Sequence, residues 1–521
     1  MRFPPWLKIG SILTAIAAAS ALAQPAPRLT FLKILSVGDP APGFSPGAVI
    51  EAIGDTPRID DDGDVSFIVT VRDPAQGPLQ SLYRQTGGAP ERVFRAGDPA
   101  PGTAGSFQQF PDLPQTPRIE AGRLTFAGSV DDPDVVNRAG IWSDRFGSFQ
   151  LLVLAGDHLP GLPADAEIAD FGFSTRGDTV LLRGRYVSQG AAPPENKGLW
   201  RSSGGGWEAV VVNRMPAPGV PGAVFGGDPL RVYGPIFAYD AGDSGQVLAQ
   251  AWMNGPRIDK NNDEALWIET GGALRILARE GDKPDRKSSF GPTSSSPTFG
   301  ADGENLVPTV NGRGAALFGA VLRSGKTRLN SVWTNRSGAL ALVARGSLPL
   351  SGFGQGDQAP GFAPGATYGI FEQGAINERN QIAFQGFADE FGTMSNLTRA
   401  IWWDAPGKLS LAAAEGRPVP GAPGAVYFDV ILESLQDDGT LFFLARLAGS
   451  GVNGSNDQAL LRARPDGSVG IVLREGDAVE AAGAVRVVRS FQFGRELSAD
   501  GRAAAHLVFT DGTSGIFTTS L

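Results

Sequence analysis

The chain contains no cysteine and only two histidines among its 521 residues. The lack of cysteine excludes disulfides, thiolate zinc sites, iron–sulfur clusters and a cysteine nucleophile. Two histidines cannot form a three-histidine metal centre. Positive charge is also scarce, because 45 Lys and Arg stand against 54 Asp and Glu, for a net charge of −9 at pH 7. An acidic chain of this kind argues against sequence-independent binding to nucleic acid.

Glycine and proline, by contrast, are abundant, with 71 and 39 residues. Such a composition is typical of chains in which many tight turns separate short strands. Hydrophobic residues make up 42% of the chain, which is enough for a sizeable core. The composition therefore predicts an ordered all-β protein.

The first 23 residues have the layout of a secretory signal peptide. Arg2 and Lys8 precede an apolar stretch over residues 9–21, and Ala21-Leu22-Ala23 forms a small-residue cleavage motif. A buried N-terminal helix is the alternative. We expect cleavage near Ala23 and a periplasmic or extracellular product. No later apolar run reaches membrane length, so the sequence predicts a protein that does not span a membrane.

A junction motif close to Gly-Asp-x-x-Pro-Gly recurs along the chain. Its clearest copies occupy residues 38–43, 97–102 and 156–161, and a second copy at 356–361 accompanies the sixth. The eight junctions start near residues 38, 97, 156, 213, 281, 346, 416 and 476. A period of roughly sixty residues predicts eight repeats of one structural unit.

Each repeat contains the signals of four short strands, named a to d. A hairpin-turn signature, as in residues 59–67 and 376–384, separates two apolar runs. A third run ends in an aromatic residue at one repeat position, where we expect blade core: Trp142, Trp200, Trp267, Trp333 and Trp402. Four strands per repeat are typical of a β-propeller blade, whereas a sandwich domain needs about 100 residues.

The two ends of the chain share one repeat. The unit that starts near residue 476 ends after its third strand, and residues 29–35 supply a lone fourth strand before the first junction. Pairing of the two ends would remove exposed sheet edges. The sequence therefore predicts an all-β fold in which residues 24–521 form a single closed propeller of eight four-stranded blades, the last one closed by the N-terminal strand.

One segment resembles a known repeat. Asn377, Ala383 and Phe384 match the N-x-x-G-x-x-A-F tandem repeat of exported bacterial proteins, the choice-of-anchor family, although Asn380 stands where that motif has Gly. The resemblance implies a repeat architecture and export. It implies no particular activity, cofactor or catalytic residue, and this sequence shows no anchor.

Candidate binding residues lie in the junctions and in the variable loops between strands b and c. In a propeller these segments open on one face. Arg214 and Arg417 take the place of the junction Asp, Lys283 and Arg286 crowd the fifth junction, and His158 follows the Asp of the third. Such cations could bind carboxylate, sulfate or phosphate. The alternative is that they are solvated junction residues.

Two further features invite a ligand hypothesis. Trp252 enters a b–c loop and could stack on a sugar ring, with core packing as the alternative. Asp259, Asn261 and Asp263 place oxygen atoms at alternate positions, as calcium loops do, and so does the stretch 60–64. Neither stretch completes the twelve-residue calcium pattern, so we expect no cofactor and keep calcium as a weak candidate.

Two functions remain open. The first is an exported, monomeric, non-catalytic propeller that binds a glycan or a protein partner through the junctions and b–c loops. The second is a secreted carbohydrate-active enzyme, a polysaccharide hydrolase or lyase, with its site at the channel mouth. No catalytic residues can be assigned from the sequence. Acids that converge in one place with shifted pKa values would favour the enzyme.

Overall fold

The computed structural model describes residues 29–521 apart from residues 55, 112–116, 133–134, 189–195, 203, 205, 227–235, 285, 287–288, 291–305, 348–355, 393–396, 495 and 499. The predicted signal peptide, residues 1–23, lies outside the described residues. Across the described residues all regular structure is β-strand, so the predicted all-β class is confirmed. That part of the chain offers no helix of the length and apolarity that a membrane crossing requires.

The strands form antiparallel units that repeat along the chain. Strand β1 (Thr30–Ser36) comes first and belongs to the last unit. Unit 1 contains β2 (Val49–Ile53), β3 (Arg58–Ile59), β4 (Val65–Asp73), β5 (Gly77–Gln85) and β6 (Glu91–Arg95), and unit 2 contains β7 (Ser106–Gln109), β8 (Arg118–Glu120), β9 (Arg123–Asp132), β10 (Val135–Ser143) and β11 (Gln150–Leu154). Unit 3 contains β12 (Ala166–Arg176), β13 (Thr179–Ser188), β14 (Lys197–Ser202) and β15 (Trp207–Val212). Unit 4 contains β16 (Val224–Phe225), β17 (Ile236–Ala241), β18 (Val247–Asn254), β19 (Glu264–Thr270) and β20 (Ala273–Arg279).

Units 5 to 8 repeat the pattern. Unit 5 contains β21 (Ser289–Phe290), β22 (Thr309–Val310), β23 (Ala316–Ser324), β24 (Thr327–Thr334) and β25 (Ala341–Ser347), and unit 6 contains β26 (Thr367–Ile376), β27 (Ile382–Asp389), β28 (Leu397–Trp403) and β29 (Ser410–Ala414). Unit 7 contains β30 (Ala425–Leu435), β31 (Leu441–Gly449), β32 (Gln458–Ala463) and β33 (Val469–Arg474). Unit 8 contains β34 (Ala478–Ala481), β35 (Ala484–Phe493), β36 (Arg502–Phe509) and β37 (Ser514–Ser520). Strand a is split into two segments in units 1, 2, 4 and 5.

In most units the strands are hydrogen-bonded to one another and not to strands of a neighbouring unit. In units 1 to 4 and 7 the strands follow the order a-b-c-d within one sheet. Units 5 and 6 share a sheet only because a single parallel bridge joins Gly346 to Tyr368. Four antiparallel strands in sequence order are the make-up of a propeller blade.

The N-terminal strand completes the last unit, as predicted. β1 runs antiparallel to β37, with Leu32 opposite Thr518 and Ser36 opposite Gly515. Unit 8 also packs against unit 1, because Ala504 and Ile516 belong to the same buried cluster as unit-1 core residues. The first and last units of the chain are therefore in contact.

Successive strands reverse direction, which divides the turns between two faces. The junctions between units and the b–c loops open on one face, called here the junction face. The a–b and c–d turns open on the other, called the hairpin face. On the hairpin face the turn residues also link adjacent units: the Asp60 carboxylate accepts the Gly122 N–H at 2.8 Å, and Asn377 donates its side-chain amide to the Gln436 carbonyl at 2.7 Å.

A buried aromatic residue on strand c anchors each regular junction. It donates its indole or phenol hydrogen to the carbonyl of the proline in the junction motif, which fixes that turn over the unit core. These donors, which are all fully buried or nearly so, pair as follows: Tyr83 with Pro42 (2.8 Å), Trp142 with Pro101 (2.9 Å), Trp200 with Pro160 (2.8 Å), Trp267 with Pro218 (3.1 Å) and Trp402 with Pro360 (3.1 Å).

The Gly and Asp of the junction have separate tasks. Gly38 has a φ of +89°, which an L side chain rarely adopts, and donates its N–H to the Ile50 carbonyl at 2.9 Å. The carboxylate of Asp39 accepts the N–H of Ser36 at 2.8 Å, which caps the end of β1. Both residues therefore have structural roles in the junction.

Two junctions differ from the sequence prediction. Arg214 does not replace the Asp: it occupies the Gly position, with a φ of +71°, and donates its N–H to the Phe225 carbonyl. Met215 stands at the Asp position, whereas Arg417 does replace an Asp as expected. The sixth junction is residues 356–361, because the Asp357 carboxylate accepts the Arg345 N–H and Gly346 lies within β25.

The aromatic–proline hydrogen bond can be measured with two neighbouring tryptophans. Trp402→Phe removes the bond to Pro360, and Trp403→Phe removes no hydrogen bond, since the buried Trp403 indole N–H has no partner. Both substitutions lose similar volume. We expect Trp402→Phe to lower the free energy of unfolding by about 1 kcal/mol more than Trp403→Phe in urea titrations. Equal losses would show that the bond contributes nothing.

Candidate functional site

The five cations predicted as a binding rim lie on the junction face and are exposed: His158, Arg214, Lys283, Arg286 and Arg417. They belong to four different junctions. Within the described residues only Lys283 and Arg286 share a junction. The binding role of all five stays a prediction.

Two of these side chains have structural partners. The His158 Nδ1 is 2.9 Å from the Ala166 carbonyl, within its own junction. Arg417 donates to the Gly361 carbonyl at 3.0 Å and lies 5.4 Å above the Phe362 ring, so it ties two neighbouring junctions together. Both contacts are of the kind that holds loops in place.

Trp252 does not present its ring to a ligand. Its side chain is only 6% exposed, and its indole N–H donates to the Glu264 carboxylate at 3.3 Å. The core-packing alternative is the one that the structure favours. The sequence analysis placed Trp252 at the start of the b–c loop, whereas strand β18 continues to Asn254, two residues beyond the tryptophan.

The weak calcium candidates form a hydrogen-bonded turn. The Asp259 carboxylate accepts the Asn261 N–H at 2.8 Å, and the Asn262 side chain accepts the Asp259 N–H at 3.0 Å. Unit 7 builds the same turn with the uncharged Asn453 in place of Asp259. No group of three or more His, Cys, Asp and Glu side chains within the described residues is arranged to hold a metal ion. Calcium stays an untested prediction.

Asp263, the third of those candidates, belongs to a buried acidic group between units 4 and 5. Glu264 and Glu280 are 1% and 3% exposed and line a cavity of about 20 Å³, which is the size of one water molecule. Gln250 donates to the Glu264 carboxylate at 2.8 Å. Burial, followed by the neighbouring carboxyls of Asp263 and Glu264, raises the pKa of Glu280 to about 8.

A second and larger charged group lies where the a–b turns approach the propeller axis. We call Arg118, Glu120, Arg176, Asp240 and Glu496 the axial cluster. Arg118 of unit 2 forms an ion pair with Glu496 of unit 8. Unit 1 separates these two units along the chain, so the pair links units that are not adjacent in sequence. The cluster thus joins residues of units 2, 3, 4 and 8.

Arg176 is the exceptional member of the axial cluster. Its guanidinium makes no hydrogen bond to the described residues, and its ion-pair partner Asp243 is 3.9 Å away. Burial opposes its charge, but Glu496, Asp240, Asp243 and Glu120 raise the pKa of Arg176. With 47% of its side chain exposed, the guanidinium has unused donors in a ring of acids.

The carboxyl groups of the cluster have opposite pKa shifts. Burial would raise the pKa of Glu496, but Arg118, Arg176 and Arg58 outweigh it and lower the pKa. Burial raises the pKa of Glu120, although Arg145 donates to its carboxylate at 2.6 Å.

Asp240 behaves like Glu120. Burial raises its pKa, although Thr309 and the Val310 N–H both donate to its carboxylate at 2.9 Å. Carboxyl groups whose pKa values are shifted in opposite directions within one site are an arrangement capable of acid–base chemistry.

Sequence reasoning missed the axial cluster. The sequence predicted a site on the junction face, because the b–c loops there vary in length. The a–b turns were not considered, because they are short and similar in most units. Arg118 and Glu496 are 378 positions apart, so no local sequence pattern could show that they form a pair. A usable signal existed for two members, since Glu120 and Arg176 put charged side chains at the last residue of strand a, where units 5, 6 and 8 have an Asn or Ser cap.

This fold and site define an all-β repeat protein made of propeller-blade units, with charged side chains of four units gathered beside the a–b turns. The chain belongs to a family of unknown function, DUF7453, whose model matches residues 28–403 and again residues 291–521. No curated protein matches the sequence. Membership of the choice-of-anchor repeat family stays a prediction.

Solved structures share only weak similarity. The β-propeller domain of the Trilobed protease from Pyrococcus furiosus is 11% identical with a TM-score of 0.31, over 71% of this chain and 86% of that chain. A puromycin-hydrolyzing peptidase of Mycobacterium tuberculosis is 13% identical with a TM-score of 0.32, over 92% and 61%. An α-L-arabinanase of Penicillium chrysogenum, complexed with arabinobiose, is 12% identical with a TM-score of 0.24, over 69% and 93%. TM-scores this low assign no function.

The raised pKa of Glu280 makes stability depend on pH. The folded chain binds this proton more tightly than the unfolded chain, so its stabilising effect is complete below about pH 4.5 and is lost as pH rises through about 8. We expect Glu280→Gln to unfold at a higher temperature than wild type at pH 9 and to gain nothing at pH 5. The exposed Glu167→Gln is the control, and parallel pH profiles for all three proteins would contradict the assignment.

Proposed function

We propose that this protein is an exported β-propeller whose eight units close into one ring, and that it binds a glycan at the axial cluster. The pairing of β1 with β37 and the packing of unit 8 on unit 1 support closure. The signal-peptide pattern of residues 1–23 supports export. The proposal moves the ligand from the junction face, which the sequence favoured, to the axis.

The glycan proposal rests on the guanidinium of Arg176, which donates no hydrogen bond to the described residues. Sugar hydroxyls donate and accept hydrogen bonds at once, so neighbouring guanidinium donors and carboxylate acceptors match a pair of adjacent hydroxyls. Arg176 offers such donors beside the carboxylates of Glu496 and Asp240.

A second function, glycoside hydrolysis, is favoured by the opposite pKa shifts. Glu496, with its lowered pKa, is suited to act as the ionised base or nucleophile. Glu120 or Asp240, with raised pKa values, is suited to donate a proton to the departing sugar oxygen. In this reaction water adds across the glycosidic bond: the hydroxyl joins the anomeric carbon, and the proton goes to the leaving group.

The test is affinity electrophoresis of the mature protein through gels that contain neutral or acidic polysaccharides. We expect at least one glycan to retard wild type, and Arg176→Gln to bind it roughly tenfold more weakly because a charge-assisted hydrogen bond is lost. Arg417→Gln, on the junction face, should bind as wild type does. Loss of retention in Arg417→Gln alone would return the site to that face, and no retention by any glycan would redirect the search to a protein partner.

The same incubations decide between binding and catalysis. New reducing ends that disappear in Glu496→Gln would establish hydrolysis at the axial cluster. We expect such activity to need an ionised Glu496 and a protonated partner, and so to fall on both sides of an optimum pH. Retention without new ends would leave binding as the function.

A further inference from the structure

The chain contains three Asn-Gly steps, at residues 254–255, 311–312 and 453–454. In such a step the backbone nitrogen of the glycine can attack the side-chain amide carbon of the asparagine, because no side chain on the glycine shields that nitrogen. The attack closes a succinimide ring. In a folded protein its rate depends on how the structure holds the two reacting groups.

The step at residues 254–255 is held in a reactive arrangement. The Gly255 N–H donates to the side-chain oxygen of Asn254 at 2.7 Å, so the attacking nitrogen faces the amide group that it would attack. Asn254 is exposed, which admits the water needed to open the ring afterwards. Groups held this close lose little further freedom on the way to the ring.

Glycine stands at position 255 for a structural reason. A Cβ there would lie 2.8 Å from the Gly222 carbonyl oxygen, because the b–c loop of unit 4 packs against the junction that precedes the unit. The Gly255 carbonyl accepts the Ile258 N–H at 3.0 Å, which closes a tight turn. Since Asn254 pairs with Val224, the backbone on both sides of the step is fixed.

The step at residues 311–312 is held in the opposite way. Gly312 donates its N–H to the carboxylate of Glu378. The side-chain amide of Asn311 donates to the Asn377 carbonyl at 2.7 Å, and its oxygen accepts the Ala315 N–H at 2.9 Å. Asn311 is also only 4% exposed. Both reacting groups of this step are therefore committed to other partners.

The step at residues 453–454 is intermediate. Asn453 is exposed, as Asn254 is. Its side-chain oxygen accepts the Ser455 N–H at 3.0 Å and the Ser455 hydroxyl at 2.6 Å, so it is directed toward the residue after the glycine. The structure thus ranks the steps by reactivity, with 254–255 first, 453–454 second and 311–312 last.

The fold has room for the product at position 254. The strand register places Asn254 at the same position as Asp131 of unit 2 and Asp389 of unit 6, each paired with the strand-a residue that is bridged to the junction. Two units therefore already hold a carboxylate there. Isoaspartate, the isomeric product, adds a methylene to the backbone and would disturb the pairing with Val224.

We propose that Asn254 is a site of spontaneous modification, at which the chain converts its own asparagine into aspartate and isoaspartate. The Gly255 nitrogen bonds to Cγ of Asn254, the Cγ–Nδ2 bond breaks, and the side-chain nitrogen leaves as ammonia with the proton from Gly255. Water then adds to either carbonyl of the succinimide and opens the ring. The junction face of unit 4 gains a negative charge as the protein ages, whether or not the protein binds a glycan.

The test is peptide mapping by mass spectrometry after incubation of the purified protein at pH 8. We expect residues 254–255 to react roughly tenfold faster than residues 453–454, and residues 311–312 to stay unmodified. In urea the three steps should react at similar rates, since only the local sequence then differs. Equal rates at 254 and 453 in the folded protein, or a slower rate at 254 in the folded than in the unfolded chain, would overturn the proposal.

Variants give a second readout, the labelling of isoaspartate by an isoaspartate-specific methyltransferase. Asn254→Gln should lose most of the label that accumulates in wild type, because the longer side chain must close a larger ring, which is slower. Asn453→Gln is the matched control and should accumulate label as wild type does. Label that persists in Asn254→Gln and disappears in Asn453→Gln would assign the modification to unit 7 and contradict the ranking.

Discussion

The hydrogen bond from a buried aromatic side chain to the proline carbonyl of the junction is the contact on which this repeat architecture depends. A junction must cross from the last strand of one unit to the first strand of the next without regular pairing. Proline fixes one dihedral, glycine supplies a positive φ, and the aromatic hydrogen satisfies a carbonyl that would otherwise be buried unpaired. In five units the donor belongs to the unit core, so the junction is positioned by packing and the unit starts from a defined place.

The repeat could be predicted from the sequence because its signals are local. Turn residues, the tryptophan position and the junction motif recur about every sixty residues. Counting strands in each repeat then showed that the last unit has three strands and that residues 29–35 supply the fourth. The fourth junction was misplaced by one residue, since Arg214 and Met215 carry neither the Gly nor the Asp that marks the motif. Backbone hydrogen bonds, rather than residue types, show which position each one occupies.

The axial cluster and the reactive step at Asn254 could not be predicted, for two physical reasons. The axial cluster depends on the packing of the units, which brings Arg118 to Glu496 across most of the chain. The step at residues 254–255 depends on a hydrogen bond, because the three Asn-Gly steps look alike in the sequence and the contact between Gly255 and Asn254 sets one apart. In the axial cluster, charged side chains occupy positions at which the backbone has the same structure as in the other units.

The pairing of β1 with β37 has a consequence for how the molecule folds. Strand β1 can find its partner only after nearly all of the described chain has been made, since Leu32 pairs with Thr518. Until the C-terminal strand is made, both edges of the incomplete unit are open to pairing with other chains. Contacts of such long sequence separation form slowly because a large loop must close first. Completion of unit 8 is thus a late kinetic step, and a nascent or truncated chain lacks it.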